Sequence, residues 1–256
     1  MYDLPDEIDV VADGPLRIIT LNRPDALNAV NDPLHTGLAR LWPRLSDDHD
    51  ARAAVLTGSG RAFSAGGDFE YLEELSRDPA LRARTIAHGR DLVLGLARCR
   101  VPIVAAVNGP AVGLGCSLVA LSDIVYMADT AYLADPHVQI GLVAADGGPL
   151  TWPLHTSLLL AKEYALTGAR IPAARAVAIG LANHVVADPL TEAVACAKRI
   201  AALPRQAVES TKRVLNLQLE RAVLATLDFA TTAEEQSFAT DDFRAILAKL
   251  TEGKTS

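Results

Sequence analysis

Apolar and polar positions follow two different rhythms along this chain, and the change between them predicts the architecture. In the first half, short β-type runs alternate with helical stretches. Ile8 to Ala12 and Leu16 to Leu21 read as strands on either side of the Asp13-Gly14-Pro15 turn, which makes a hairpin. Asn31-Asp32-Pro33 sets a capping side chain before a proline at a first helical position. Leu34, Leu38, Leu41 and Leu45 then recur at helical spacing, with Trp42-Pro43 expected to distort the helix. Ala53 to Thr57 predicts a strand ending in Gly58-Ser59-Gly60, and Phe63-Ser64-Ala65-Gly66-Gly67-Asp68 follows as a loop. A long helix is expected over 79–98, a buried strand over 103–107, a turn at Asn108-Gly109-Pro110, a small-residue helix over 113–121 and a strand over 124–128.

After Gly147-Gly148-Pro149 the pattern becomes helical. Leu158 to Leu166, Pro172 to Ile179, Leu190 to Ala202, Pro204 to Leu217 and Arg221 to Thr232 all carry helical periodicity, and the tail from Thr251 to Ser256 is expected to fray. Strands alternating with helices indicate an α/β fold. No repeat, low-complexity tract or flexible linker interrupts the chain.

Length and composition narrow the function. At 256 residues, half of them hydrophobic, the chain is one large domain or one domain with a smaller appendage. Its 24 Lys+Arg against 31 Asp+Glu leave a net charge of -7, which argues against binding nucleic acid through its phosphates. Cys99, Cys116 and Cys196 are scattered and form no C-x-x-C pair, so they read as buried reduced thiols. The opening MYDLPDEIDV shows no signal or transit pattern, and apolar runs such as 101–107 fall short of the ~18 residues of a membrane span. A cytoplasmic protein is expected.

Two glycine-bearing loops each follow an apolar strand, and the second runs straight into a helix. Free backbone N–H groups there, aided by the helix dipole, suit a developing anion such as a thioester enolate. Glycines that only permit tight turns fit the same spacing. Other templates fail. Gly58-Ser59-Gly60-Arg61-Ala62-Phe63 lacks the third glycine of a dinucleotide loop, neither Ser64 nor Ser117 sits in G-x-S-x-G, and no Walker loop or H-E-x-x-H occurs.

Three stretches, Leu21-Asn22-Arg23-Pro24-Asp25-Ala26-Leu27-Asn28-Ala29, Ala62-Phe63-Ser64-Ala65-Gly66-Gly67-Asp68 and 102–116 (PIVAAVNGPAVGLGC), together resemble the enoyl-CoA hydratase/isomerase (crotonase) superfamily. The resemblance covers nearly the whole chain and loosens after about residue 170. It implies a crotonase-like spiral of β-β-α units with a helical C-terminal trimerisation region. Residues 1–195 would form the spiral core with the CoA-thioester site and 196–256 the oligomerisation region of a homotrimer or hexamer. It also implies an acyl-CoA substrate, with coenzyme A as part of that substrate, no prosthetic group, no metal, and neither nucleic acid nor membrane as partner.

By the same similarity, the backbone N–H groups of Ser64 and Leu114 would hold the thioester oxygen. The 22–29 segment would lie along the CoA, with Arg23 near its phosphates and the Ala26 and Leu27 backbone near the adenine; a plain surface-loop role for Arg23 stands beside that. Ala62 and Asp68 flank the first loop on the cofactor side, and Asp68 reads first as a turn or cap residue. Lys249 and Lys254 are candidates to reach a neighbouring subunit's CoA. Tyr71 and Trp152 are candidates for the acyl pocket or for the core.

The chain departs from the hydratase pattern at both of its glutamates. Ser117 stands at the first and His137, after Pro136, at the second. A serine hydroxyl has no useful basicity near neutral pH, so two-glutamate hydration loses its support. Asp146, in Gly141-Leu142-Val143-Ala144-Ala145-Asp146-Gly147-Gly148, is left as the candidate base, or as a cap for the helix near Pro149. His137 is its candidate acid/base partner, or a packing residue. Double-bond isomerisation suits these groups best; hydration, thioester hydrolysis and CoA-ester binding without turnover are the alternatives.

Overall fold

The structure, a computed structural model, describes residues 2–252. β1 (Ile8–Asp13) and β2 (Leu16–Leu21) form the expected antiparallel hairpin, with Gly14 turning at φ +57°. To β2 are added, in parallel, β3 (Ala53–Gly58), β4 (Ile103–Val107), β6 (Ile124–Ala128) and β9 (His184–Val186), in the order β1-β2-β3-β4-β6-β9. A smaller sheet holds β5 (Ala111–Val112), β7 (Tyr132–Ala134) and β8 (Ile171–Pro172). The chain therefore steps from the large sheet to the small one and into a helix, as in β4, β5 and α4 (Leu114–Ala120), which is the β-β-α winding expected of it.

Successive residues of the central strands face opposite layers, and both layers are apolar, so these strands read as continuous hydrophobic runs. Ile19, Ala54, Leu56, Ile103 and Ala105 join one core with α1 (Asp32–Asp47) and α3 (Pro79–Arg98). Leu16, Val55, Val104 and Ala106 face α8 (Pro189–Ala201) through Ala193, Cys196 and Ala197. A division at 195/196 would cut α8 in the middle of this contact. α8 thus spans the expected boundary and packs on the large sheet.

Two further corrections concern helices. The stretches at 204–217 and 221–232 are one element, α9 (Arg205–Ser237), of 33 residues. The first glycine loop ends in α2 (Phe69–Arg77), and after α9 comes α10 (Asp241–Glu252), neither of which the periodicity revealed. α5 (Gly148–His155), α6 (Leu158–Thr167) and α7 (Ala173–Ala178) complete the set. α10 lays Phe243 and Leu247 against Tyr71, Leu72 and Leu142, closing one side of the site. All three cysteines are free and buried. No helix among the described residues is long and apolar enough to cross a membrane.

Candidate active site

Two asparagines shape the first loop. Asn28 is fully buried at φ +55°; its side-chain amide donates to the carbonyls of Ser59 and Ala62, both at 2.9 Å, and its Oδ1 accepts from the Arg23 N–H at 2.8 Å. Asn108 donates to the Gly58 and Gly60 carbonyls at 2.9 Å and to Ala62 at 3.2 Å. These bonds fix the turn leading into Ser64. The side chain of Ser64 is buried and donates to the Asn28 carbonyl at 2.8 Å, and its backbone N–H donates to the Pro110 carbonyl at 3.0 Å. An N–H already given to a carbonyl is not free for a substrate, so the expected role of Ser64 as oxyanion donor is not supported.

Gly67, three residues on, differs from Ser64 in its backbone N–H. Val30 pairs with this segment through the Gly66 carbonyl and the Asp68 N–H, and the alternation of extended chain turns the Gly67 N–H away from it. No described acceptor takes that N–H. In the second loop, Gly113 turns at φ +52°, and Leu114 opens α4 with an N–H that has no intrahelical partner. Gly67 and Leu114 both line one cavity.

His137, Asp146 and Glu234 line the same cavity. His137 Nδ1 is hydrogen-bonded to Asp135, whose carboxyl is almost completely buried, and Nε2 lies 3.9 Å from Asp146 Oδ2. Ser117, buried one turn into α4, donates its hydroxyl to Asp146 Oδ1 at 2.8 Å. The N-cap of α5 is Gly147, with no side-chain cap, so Asp146 does not cap this helix.

The electrostatics follow from burial with few counter-charges. For His137, burial favours the neutral ring, but the Asp135 and Asp146 carboxylates outweigh it and push the imidazole up to about 10. Burial raises Asp146 and Asp135 adds to this, while His137 and the Ser117 hydroxyl pull it back; the net direction is upward. Burial, then Asp146 and Asp135, push Glu234 up to about 8 against the pull of His137. Asp135, His137 and Asp146 present ligand atoms within 4.8 Å of one another. A divalent ion there would have to displace the His137 proton, which its neighbours hold tightly.

The expected CoA contacts are engaged inside the chain. The Arg23 guanidinium donates to the Ala29 carbonyl and pairs with Asp68 at 3.0 Å, tying the 22–30 segment to the start of α2. Asp68 caps α2 by accepting from the Glu70 N–H at 3.1 Å, as its turn reading predicts. Ala26 and Leu27 are half-buried in and after a 3-10 turn (Pro24–Ala26), and Leu27 accepts from the Ala65 N–H through its carbonyl. The Ala62 carbonyl is held by Asn28 and Asn108. Lys249 is exposed on α10, and Lys254 lies outside the described residues. Tyr71 lines the cavity, whereas Trp152 is fully buried in the core.

Residues 13–255 match the family described as Enoyl-CoA hydratase/isomerase. The chain belongs to the enoyl-CoA hydratase/isomerase family. It is similar to the crystal structure of an enoyl-CoA hydratase/isomerase from Mycobacterium paratuberculosis, with 77% identity, a TM-score of 0.96, and 97% of this chain and 100% of that one covered. It is 34% identical over 235 residues to a probable enoyl-CoA hydratase of Mycobacterium tuberculosis, covering 91% of this chain and 90% of the relative. A probable mitochondrial enoyl-CoA hydratase of Dictyostelium discoideum is 30% identical over 244 residues, covering 94% and 87%. This hydratase/isomerase-family enzyme also carries site residues that sequence reasoning missed. Asp135 stood two positions before His137 and was a findable partner. Glu234 lies in a polar stretch of α9 with no local signal, and Gly67 is distinguished from Ser64 only by which N–H the strand pairing consumes.

Proposed function

We propose that this enzyme moves the double bond of a 3-enoyl-CoA thioester to the 2-position, with Asp146 as the base. The observation that carries this reading is the Asp146 carboxyl, which shares the Leu114 cavity, accepts from Ser117 at 2.8 Å and sits beside His137. The thioester oxygen would accept from the Leu114 N–H and, in place of Ser64, from the Gly67 N–H. Asp146 takes a proton from C2, the negative charge collects on that oxygen, and a proton returned at C4 leaves the 2-enoyl ester.

The positions of the two hydratase glutamates support isomerisation. Ser117 is not a base, and His137 keeps its proton up to about pH 10, so neither activates a water efficiently. Coenzyme A enters as part of the substrate, with no prosthetic group in this reading. A homotrimer or hexamer would cover apolar side chains left exposed on α6 and α9, among them Leu159, Leu166 and Phe229.

The test is a panel of saturated, 2-enoyl and 3-enoyl CoA esters scored for hydration, isomerisation and free thiol. Isomerisation of the 3-enoyl ester is expected, and Asp146→Asn should lower it by about 10²-fold or more. Full activity in that variant, or thiol release as the only reaction, would overturn the assignment. Calorimetric binding with no turnover of any ester would favour a CoA-ester-binding protein.

A further inference from the structure

The isomerisation needs a proton delivered at C4, two carbons beyond the one that Asp146 deprotonates. We propose that Glu234 is the residue that delivers it, as a carboxylic acid facing the same cavity as Asp146. This rests on the isomerase reading above. The inference starts from α9. Thr231, Glu234 and Phe238 fall at helical spacing on one face of this helix, and all three line the cavity. Leu227 and Ala230 bury the neighbouring face in the core.

Two features set Glu234 apart from a solvated helix glutamate. Its carboxyl has no hydrogen-bond or ion-pair partner among the described residues, while Glu220 on the same helix is held by Arg98 and Arg213. Its position is also fixed against the Asp146 loop. The Val143 N–H donates to Ser237 Oγ at 3.2 Å, and that hydroxyl donates to the Glu234 carbonyl at 2.6 Å. These bonds join the backbone of the loop bearing Asp146 to the turn of α9 bearing Glu234.

The titratable groups facing Glu234 are Asp146 and His137, with Asp135 behind His137; His35 and Tyr71 line the cavity elsewhere. These surroundings divide the labour. Asp146 accepts from the Ser117 hydroxyl at 2.8 Å and has His137 Nε2 3.9 Å away, and both stabilise its charged form. Glu234 has no side-chain hydrogen bond among the described residues, and burial with the Asp146 and Asp135 carboxylates pushes it up to about 8 against the pull of His137. The cavity wall thus pairs a carboxyl whose charged form is hydrogen-bonded, Asp146, with one that burial favours as the acid, Glu234. In the reaction the C2–H bond breaks to Asp146, the electron pair spreads over the thioester oxygen, C2 and C4, and the Glu234 O–H bond breaks as C4–H forms. A proton passing from Asp146 to Glu234 through solvent restores the starting state.

Deuterium separates the two steps. In D2O, C2–H exchange of a saturated acyl-CoA ester reads Asp146 and the two amides alone, whereas isomerisation of a 3-enoyl ester reads delivery at C4 as well. Glu234→Gln is expected to lower isomerisation by about 10²-fold while C2 exchange stays within about threefold of wild type. The wild-type fall in kcat above about pH 8 should vanish in Glu234→Gln and be kept, at lower rate, in Glu234→Asp. Unchanged isomerisation in Glu234→Gln would overturn the proposal. So would equal loss of exchange and isomerisation, which marks a structural role and would accompany a lowered thermal midpoint. Wild-type enzyme that neither exchanges C2 nor isomerises would instead fail the isomerase reading first, and this inference with it.

Discussion

Gly147 shows how little space surrounds the Asp146 carboxyl. A Cβ there would lie 2.6 Å from the Ser117 Cβ and 2.9 Å from its hydroxyl oxygen. Gly147→Ala should therefore push the loop off Ser117, lowering kcat by about 10²-fold with a smaller change in KM; steady-state kinetics on the reactive CoA ester checks it. Gly148 is equally constrained, since a Cβ would meet the Asp135 carboxyl at 2.3 Å. Leu114, Ser117, His137 and Asp146 could be picked from the sequence because each lies in a short local motif. The Ser64 N–H differs from its expected role for a physical reason: extended residues alternate the direction of their N–H groups, and the sequence does not say which one a neighbouring strand consumes.

At the scale of elements, the helix and strand signals that sequence carries are those with local causes. Asn31 accepts from the Leu34 N–H at 3.0 Å, the cap expected at the start of α1. Asn31→Ala should destabilise the fold by about 1 kcal/mol, measured as a shift in the denaturation midpoint at unchanged slope. α9 was split in two by its polar middle. Glu220 there binds Arg98 at 2.6 Å and Arg213 at 2.7 Å, so the interruption of the apolar stripe is an ion-paired anchor inside a continuous helix. β7, β8 and β9 span two or three residues each and are too short to show a period of two.

For the whole molecule, burial of ionisable groups makes stability depend on pH in both directions. His35, in the cavity wall, is pulled down to about 4 by burial, with His88 adding to the effect. Its folded pKa lies below the unfolded value near 6.5, so its contribution is present above that value and lost as pH falls toward 4. His137 has the opposite sign. Its folded value of about 10 exceeds the unfolded one, so its contribution is complete below about 6.5 and lost as pH rises through 10. Glu234, raised from 4.5 to about 8, has the same sign as His137 and offsets the His35 limb. Urea unfolding should therefore show stability falling as pH rises toward 10, and His137→Gln should flatten that fall.

The sequence by itself determined the α/β class, the early hairpin, the start of α1, the extent of α3, and the motif residues of the family, because turns, caps and short-range periodicity act between neighbours in the chain. Only the tertiary structure decided which amide of the first loop is free, that α9 is a single helix, and that Glu234 reaches the cavity of Leu114 and Asp146. Those outcomes depend on which distant groups pack together and share a buried space, and no local pattern of residues encodes that.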